Sequence, residues 1–111
     1  MVTRNIITLD IATNGKDGEY TLLVNNKNFS SVVYSETIEA IKDALINKSK
    51  TAVLFKLAHT DYQIEINKPE WKKALNECIN YYSKKENYEQ CSYIVKLIKE
   101  FELWKMMNII L

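Results

Sequence analysis

The chain has 111 residues, 47% hydrophobic and 26% charged, with a formal net charge of +1. This size and composition fit one folded domain, and exclude a collagen-like, disulfide-dense or wholly disordered chain. Near-neutral charge supplies no general field to gather DNA, RNA or an anionic membrane.

The order of elements reads from the hydrophobic periodicity. Residues 5–12, NIITLDIA, alternate apolar and polar and predict a strand. Residues 13–19 hold both glycines of the chain, Gly15 and Gly18, and read as a hairpin loop. Residues 20–24, YTLLV, predict a second strand, and residues 29–34, FSSVVY, a third after an Asn-rich turn. Ser35 reads as the N-cap of a helix whose apolar positions are Ile38, Ile41, Ala44 and Leu45. Residues 51–58 and 62–66 predict a second hairpin, with His59, Thr60 and Asp61 at its turn. Asn67 and Pro69 then mark a helix start. Trp71, Ala74, Leu75, Cys78, Ile79 and Tyr82 follow at helical spacing, ending near residues 84–87. Asn87 caps a last helix with Cys91, Ile94, Val95, Ile98, Phe101 and Leu103 or Trp104 at helical spacing. The expected fold is an α+β domain over residues 1–111, in the order βββ-α-ββ-αα. An antiparallel sheet plus one helix occupies 1–66, and a helical hairpin over 67–111 packs on it.

Catalytic constellations are sparse. The single histidine, His59, stands at an expected hairpin tip beside Asp61, a poor place to desolvate a general base. It reads as a solvated turn residue and excludes a two-histidine metal site within one chain. Cys78 and Cys91 lack the spacing of a zinc site and read as small thiols in a helix–helix seam. A redox clasp between them would need Cα atoms within about 7 Å. Gly15 and Gly18 lie between strands without the ending of a phosphate-binding loop. The carboxylates Asp10, Asp17, Glu19, Asp61 and Glu65 read as surface groups. No cofactor, metal or catalytic residue is expected.

Binding signals are stronger. Tyr20, Phe29, Tyr34, Phe55 and Tyr62 fall on expected strands, where an aromatic face could stack bases. Lys72, Lys73, Lys84 and Lys85 could touch phosphates, but Glu70, Glu77, Glu86 and Glu89 intersperse them and favour a solvated mixed face. The chain carries 14 Lys but one Arg, Arg4, with 11 Asn and 13 Ile, the imprint of an A/T-rich genome. It is therefore poor in the residue best suited to forked recognition of phosphate. Residues 101–111, FELWKMMNIIL, close on an apolar run that needs a cover. That cover is the sheet, a partner or a second copy of the chain. Residues 1–5 lack the apolar run of a signal peptide, and no stretch approaches the roughly 18 apolar residues of a membrane helix. With two cysteines only, a cytoplasmic protein is expected.

Residues 71–100 resemble the two-helix UVR motif of nucleotide-excision repair proteins. Tyr88-Glu89 and Cys91 match the opening of that motif's second helix, and Ile94, Leu97 and Ile98 match its apolar spacing. Val95-Lys96 stands where the family usually has an Arg-Asp pair. The resemblance implies a protein–protein contact module. The tail and composition are also similar to those of small phage proteins, which would place the chain in the host cytoplasm.

The expected function is a non-enzymatic protein–protein interaction module, an inhibitor or accessory factor of phage type acting by surface occlusion. Its partner is another protein, or itself as a homodimer. Tyr88, Trp104, Met106 and Met107 are the expected anchors, because aromatic and adaptable side chains dominate interaction hot spots. A nucleic-acid-binding module, and a small ligand-binding domain or enzyme centred on His59, are the alternatives.

Overall fold

The computed structural model describes residues 4–9 and 27–110, except for the side chains of 27, 28, 104, 105 and 107–110. The chain divides into two compact units, Met1–Lys68 and Pro69–Leu111. The fold is α+β, in the described order β-α-ββ-αα.

The first unit holds a three-stranded sheet and one helix. Strand β1 is Ile7–Leu9, helix α1 is Lys27–Ile46, β2 is Thr51–Leu57 and β3 is Gln63–Asn67. The strand order is β1-β2-β3, with β1 parallel and β3 antiparallel to β2. The sheet is therefore mixed rather than antiparallel. β1 reaches its neighbour only after a helix, the crossover that parallel pairing needs. The expected second strand, 20–24, and both glycines lie outside the described residues.

The expected third strand, 29–34, is a correction. These residues form the first half of α1. Val32, Val33 and Phe29 favour a strand by propensity, but no Gly or Pro interrupts residues 27–46. Phe29, Val33, Thr37, Ile41 and Ala44 recur every three or four positions, so one stripe runs the helix length. Thr37, Ile38, Ala40, Ile41 and Ala44 are buried, and the Phe29 ring stacks on Phe55 of β2 at 5.8 Å. The Thr37 hydroxyl donates to the Val33 carbonyl at 2.7 Å, satisfying itself within the helix. Ser35 is thus an exposed mid-helix residue rather than a cap.

Strand β2 is the core strand of this unit. Its register against β3 slips between Val53 and Phe55. The resulting bulge at Leu54 breaks the alternation, so that Leu54 and Phe55 are both buried. A bulge leaves ladder groups in need of partners, and Arg4 supplies them. Its guanidinium donates to the Val53 carbonyl, to the Leu54 carbonyl at 3.2 Å and to Glu36 Oε2 of α1 at 2.5 Å. Both charged side chains are largely buried, 12% and 18% exposed. The only arginine thus ties the edge of β1, the bulge and α1 together.

The second unit is a helical hairpin. A 3-10 turn, Lys68–Glu70, carries Pro69 and leads into α2, Trp71–Lys84; α3 is Tyr88–Ile110. Trp71, early in α2, meets Phe101, late in α3, with ring centroids 5.6 Å apart. Cys91, early in α3, donates to the carbonyl of Ile79, late in α2, at 3.5 Å. The helices therefore run antiparallel. Trp71, Leu75 and Cys78 of α2 and Ile94, Leu97 and Phe101 of α3 are buried, each contributing roughly 1.5–3 kcal/mol of hydrophobic stabilisation. The reversal is closed by a Schellman arrangement. Asn87 N–H donates to the Tyr82 carbonyl at 2.9 Å and Glu86 N–H to the Ser83 carbonyl at 3.0 Å. Asn87 then caps α3, its Oδ1 accepting from Gln90 N–H at 3.3 Å.

Glu86 sits at φ 59°, and Lys48 and His59 at φ 55° and 64°. Lys48 closes α1 in the same way, with Ser49 N–H donating to the Ala44 carbonyl at 2.8 Å. A side chain in this conformation costs about 1 kcal/mol, which glycine avoids.

Two stability predictions follow from these contacts. R4A strips the bulge carbonyls and the Glu36 carboxylate of their donor, and is expected to lower the urea-unfolding free energy by about 3 kcal/mol. R4K, lacking the fork, should lose about half as much. E86G relieves the left-handed strain at the α2–α3 reversal and should raise stability by about 0.5 kcal/mol, or the melting temperature by roughly 2–3 °C. A fall on E86G would contradict the strain.

Candidate functional site

Helix α3 has apolar residues on two sides. Ile94, Leu97 and Phe101 are buried, with Gln90, Cys91 and Ile98 half-buried beside them. Tyr88, Tyr93, Val95, Leu103 and Met106 are exposed. These are five of the eight exposed large apolar residues among those described. Val95 and Leu103, expected with the inner stripe, belong to the outer set. Leu97 replaces Val95 in the seam. The reason is phase: positions 94, 97 and 101 keep the three-four step of a helix face, and 95 lies a third of a turn away.

Over the first half of α3 the outer face forms a shallow groove lined by Tyr88, Glu89, Ser92, Val95, Lys96 and Lys99, with Cys91 at its inner edge. All come from one helix, so the groove is open to solvent. The second half carries Leu103 and Met106, 59% exposed each. Lys72 and Glu102 pair across the hairpin at 2.6 Å. Both are about half exposed, so the pair contributes little to stability.

The expected anchors do not form one cluster. Tyr88 is 63% exposed at the first turn of α3, and Met106 is exposed near its end. They lie on one face, 18 positions and hence about 27 Å apart. Trp104 and Met107 stand on the helical backbone of α3, and their side chains lie outside the described residues. Val95 and Leu103 fill part of the interval and were not among the expected anchors. The sequence signalled only their apolar type; which of Val95 and Leu97 joins the buried stripe depends on the phase of α3 against α2.

Elsewhere the structure disperses the other candidates. Phe55 is buried and stacked on Phe29, which with Tyr34 belongs to α1. Tyr62 is 76% exposed but precedes β3. The aromatic residues of 29–62 therefore build no stacking platform on the strands, and Tyr20 lies outside the described residues. His59 and Asp61 are exposed in the β2–β3 turn, where the Thr60 hydroxyl donates to the Leu57 carbonyl at 3.0 Å. Asp10, Asp17 and Glu19 lie outside the described residues. Among the described residues, no three His, Cys, Asp or Glu side chains cluster as metal ligands. No helix among them is long and apolar enough to cross a membrane.

Cys78 and Cys91 are both free thiols. Burial, reinforced by the charge of Glu77, pushes the Cys78 thiol up to about 12. The Tyr82 phenol is also raised, chiefly by burial and secondarily by Cys78 and Tyr81, although the Gln90 side chain hydrogen-bonds to it and opposes the rise.

The raised Cys78 value has a consequence for stability. The folded state keeps its proton above the pH at which the unfolded chain, with an ordinary thiol near 9, has lost it. The contribution of this group is complete below about pH 9 and is lost as pH rises toward 12. Unfolding measured from pH 8 to 11 should show a fall of up to about 1.4 kcal/mol per pH unit from this group, and C78A should lack that part. Identical pH slopes in the two proteins would contradict the burial of the thiol.

Compared with protein-family models, curated proteins and solved structures, the chain matches none.

Proposed function

We propose that the chain is a non-enzymatic protein–protein interaction module whose contact surface is the outer face of α3. The observation that carries this reading is the second apolar face of α3, on a helix already anchored through Ile94, Leu97 and Phe101. Exposed apolar side chains gathered on one helix are a usual mark of a contact site. The resemblance of residues 71–100 to the UVR-type hairpin supports the same use. The mechanism is occlusion: a rigid hairpin covers a surface of a larger macromolecule, as an inhibitor or accessory factor of phage type does. Among the described residues, the nucleic-acid reading finds no aromatic platform on the strands, and the enzyme reading finds His59 in an exposed turn.

The test uses the full chain as immobilised bait in lysate of its natural host, beside the V95E/L103E variant. Both substitutions replace exposed side chains, so the variant should keep its helical circular dichroism and thermal transition. The expected result is a protein captured by wild type and reduced at least about tenfold with the variant, as for loss of hot-spot contacts. Capture of nothing, or equal capture by both, would overturn the reading.

A further inference from the structure

We infer that the groove over the first half of α3 pairs with the same groove of a second copy, in antiparallel orientation. This rests on the reading of the outer face of α3 as a contact surface, and assigns the first half of that face to a second copy of the chain. The groove is complementary to itself along a single face. Tyr88, Ser92, Val95 and Lys99 are spaced by four, three and four residues, the spacing of a two-helix seam. Glu89 and Lys96 flank that seam on one side, seven positions apart. Two turns separate them, about 10 Å, too far to pair with each other along the helix. Among the described residues, neither has an ion-pair partner, nor has Lys99.

A two-fold axis between Ser92 and Val95 resolves every layer. Glu89 of one copy comes opposite Lys96 of the other, and the reverse, giving two acid–base pairs. Ser92 comes opposite Val95, small against branched, so the helices can approach closely. Tyr88 comes opposite Lys99, an aromatic face against an ammonium group. The surface is self-complementary, as an isologous contact must be. A parallel arrangement would instead put the Glu89 and Lys96 flanks of the two copies on opposite sides of the seam, where neither acid–base pair forms. The seam spans three turns of helix, well short of the roughly 800 Å² per partner of a standard stable interface, so the association is weak and concentration-dependent.

The test is sedimentation equilibrium of the full chain from about 10 μM to about 1 mM, the range in which a small interface is populated. Wild type is expected to show a monomer–dimer equilibrium. E89K and K96E should each weaken self-association at least about tenfold, because both symmetric pairs become repulsive. An equimolar mixture of E89K with K96E should recover the wild-type association, because each chain then meets the opposite sign at both positions. Recovery in the mixture cannot arise from misfolding of either variant. A wild type that stays monomeric throughout overturns self-pairing and leaves the capture experiment standing. A captured host protein lost with V95E/L103E then assigns the face to a different partner. Variants that associate as wild type does, or a mixture no stronger than its components, also overturn it.

Discussion

Three of the described connections, two in the first unit and one in the second, are built on a left-handed residue that is not glycine. Lys48 turns α1 into β2, His59 turns β2 into β3, and Glu86 turns α2 into α3. The chain has only two glycines, both in residues 13–19, so these reversals carry side chains and the strain that comes with them. What holds each in place is a closed set of backbone hydrogen bonds. The Schellman bonds at Lys48 and Glu86 satisfy carbonyls that a helix end leaves open. In the His59 turn, Leu57 N–H donates to the Tyr62 carbonyl at 3.1 Å. Both units depend on these three points, because every antiparallel pairing described is fixed in register by one of them.

Within the first unit the second constraint is the bulge at Leu54. It buries two consecutive side chains from β2 and leaves backbone carbonyls facing the N-terminal segment. Arg4 answers both the carbonyls and Glu36. A guanidinium suits this place because its donors are fixed in a fork and it is more weakly hydrated than an ammonium group. The sole arginine of a lysine-rich chain is therefore part of the fold, and the cations on the outer face of α3 are all lysines.

In the second unit, burial and exposure divide α3 by phase alone. One set of positions closes the seam with Trp71, Leu75 and Cys78, and the neighbouring set faces outward with Tyr88, Val95, Leu103 and Met106. Lys72 and Glu102 mark the open end of the hairpin. The proposed function and the proposed pairing both use the outward set, in a helix that the seam holds rigid.

Much of this was legible along the chain. The hairpin of residues 51–67, the helix from Trp71 to Lys84 and the cap at Asn87 follow from local periodicity and turn chemistry, which act over a few residues. The solvated turn at His59 was legible for the same reason. Residues 29–34 were not: Val32, Val33 and Phe29 favour a strand locally, and only the stripe shared with Ile41 and Ala44, buried in the first unit with Phe29 stacked on Phe55, makes them helical. The parallel pairing of β1, the bulge at Leu54 and the grip of Arg4 are likewise contacts between residues about 50 positions apart. Candidate contact residues divide in the same way. Tyr88 and Met106 could be named from residue type, but that Val95 and Leu103 face outward while Leu97 faces inward was settled by helix phase against α2. The sequence by itself determined the helix and turn signals of the second unit, because these interactions are local. The tertiary structure alone decided the mixed sheet, the identity of 29–34 and the outer face of α3, because each depends on which distant side chains share a core.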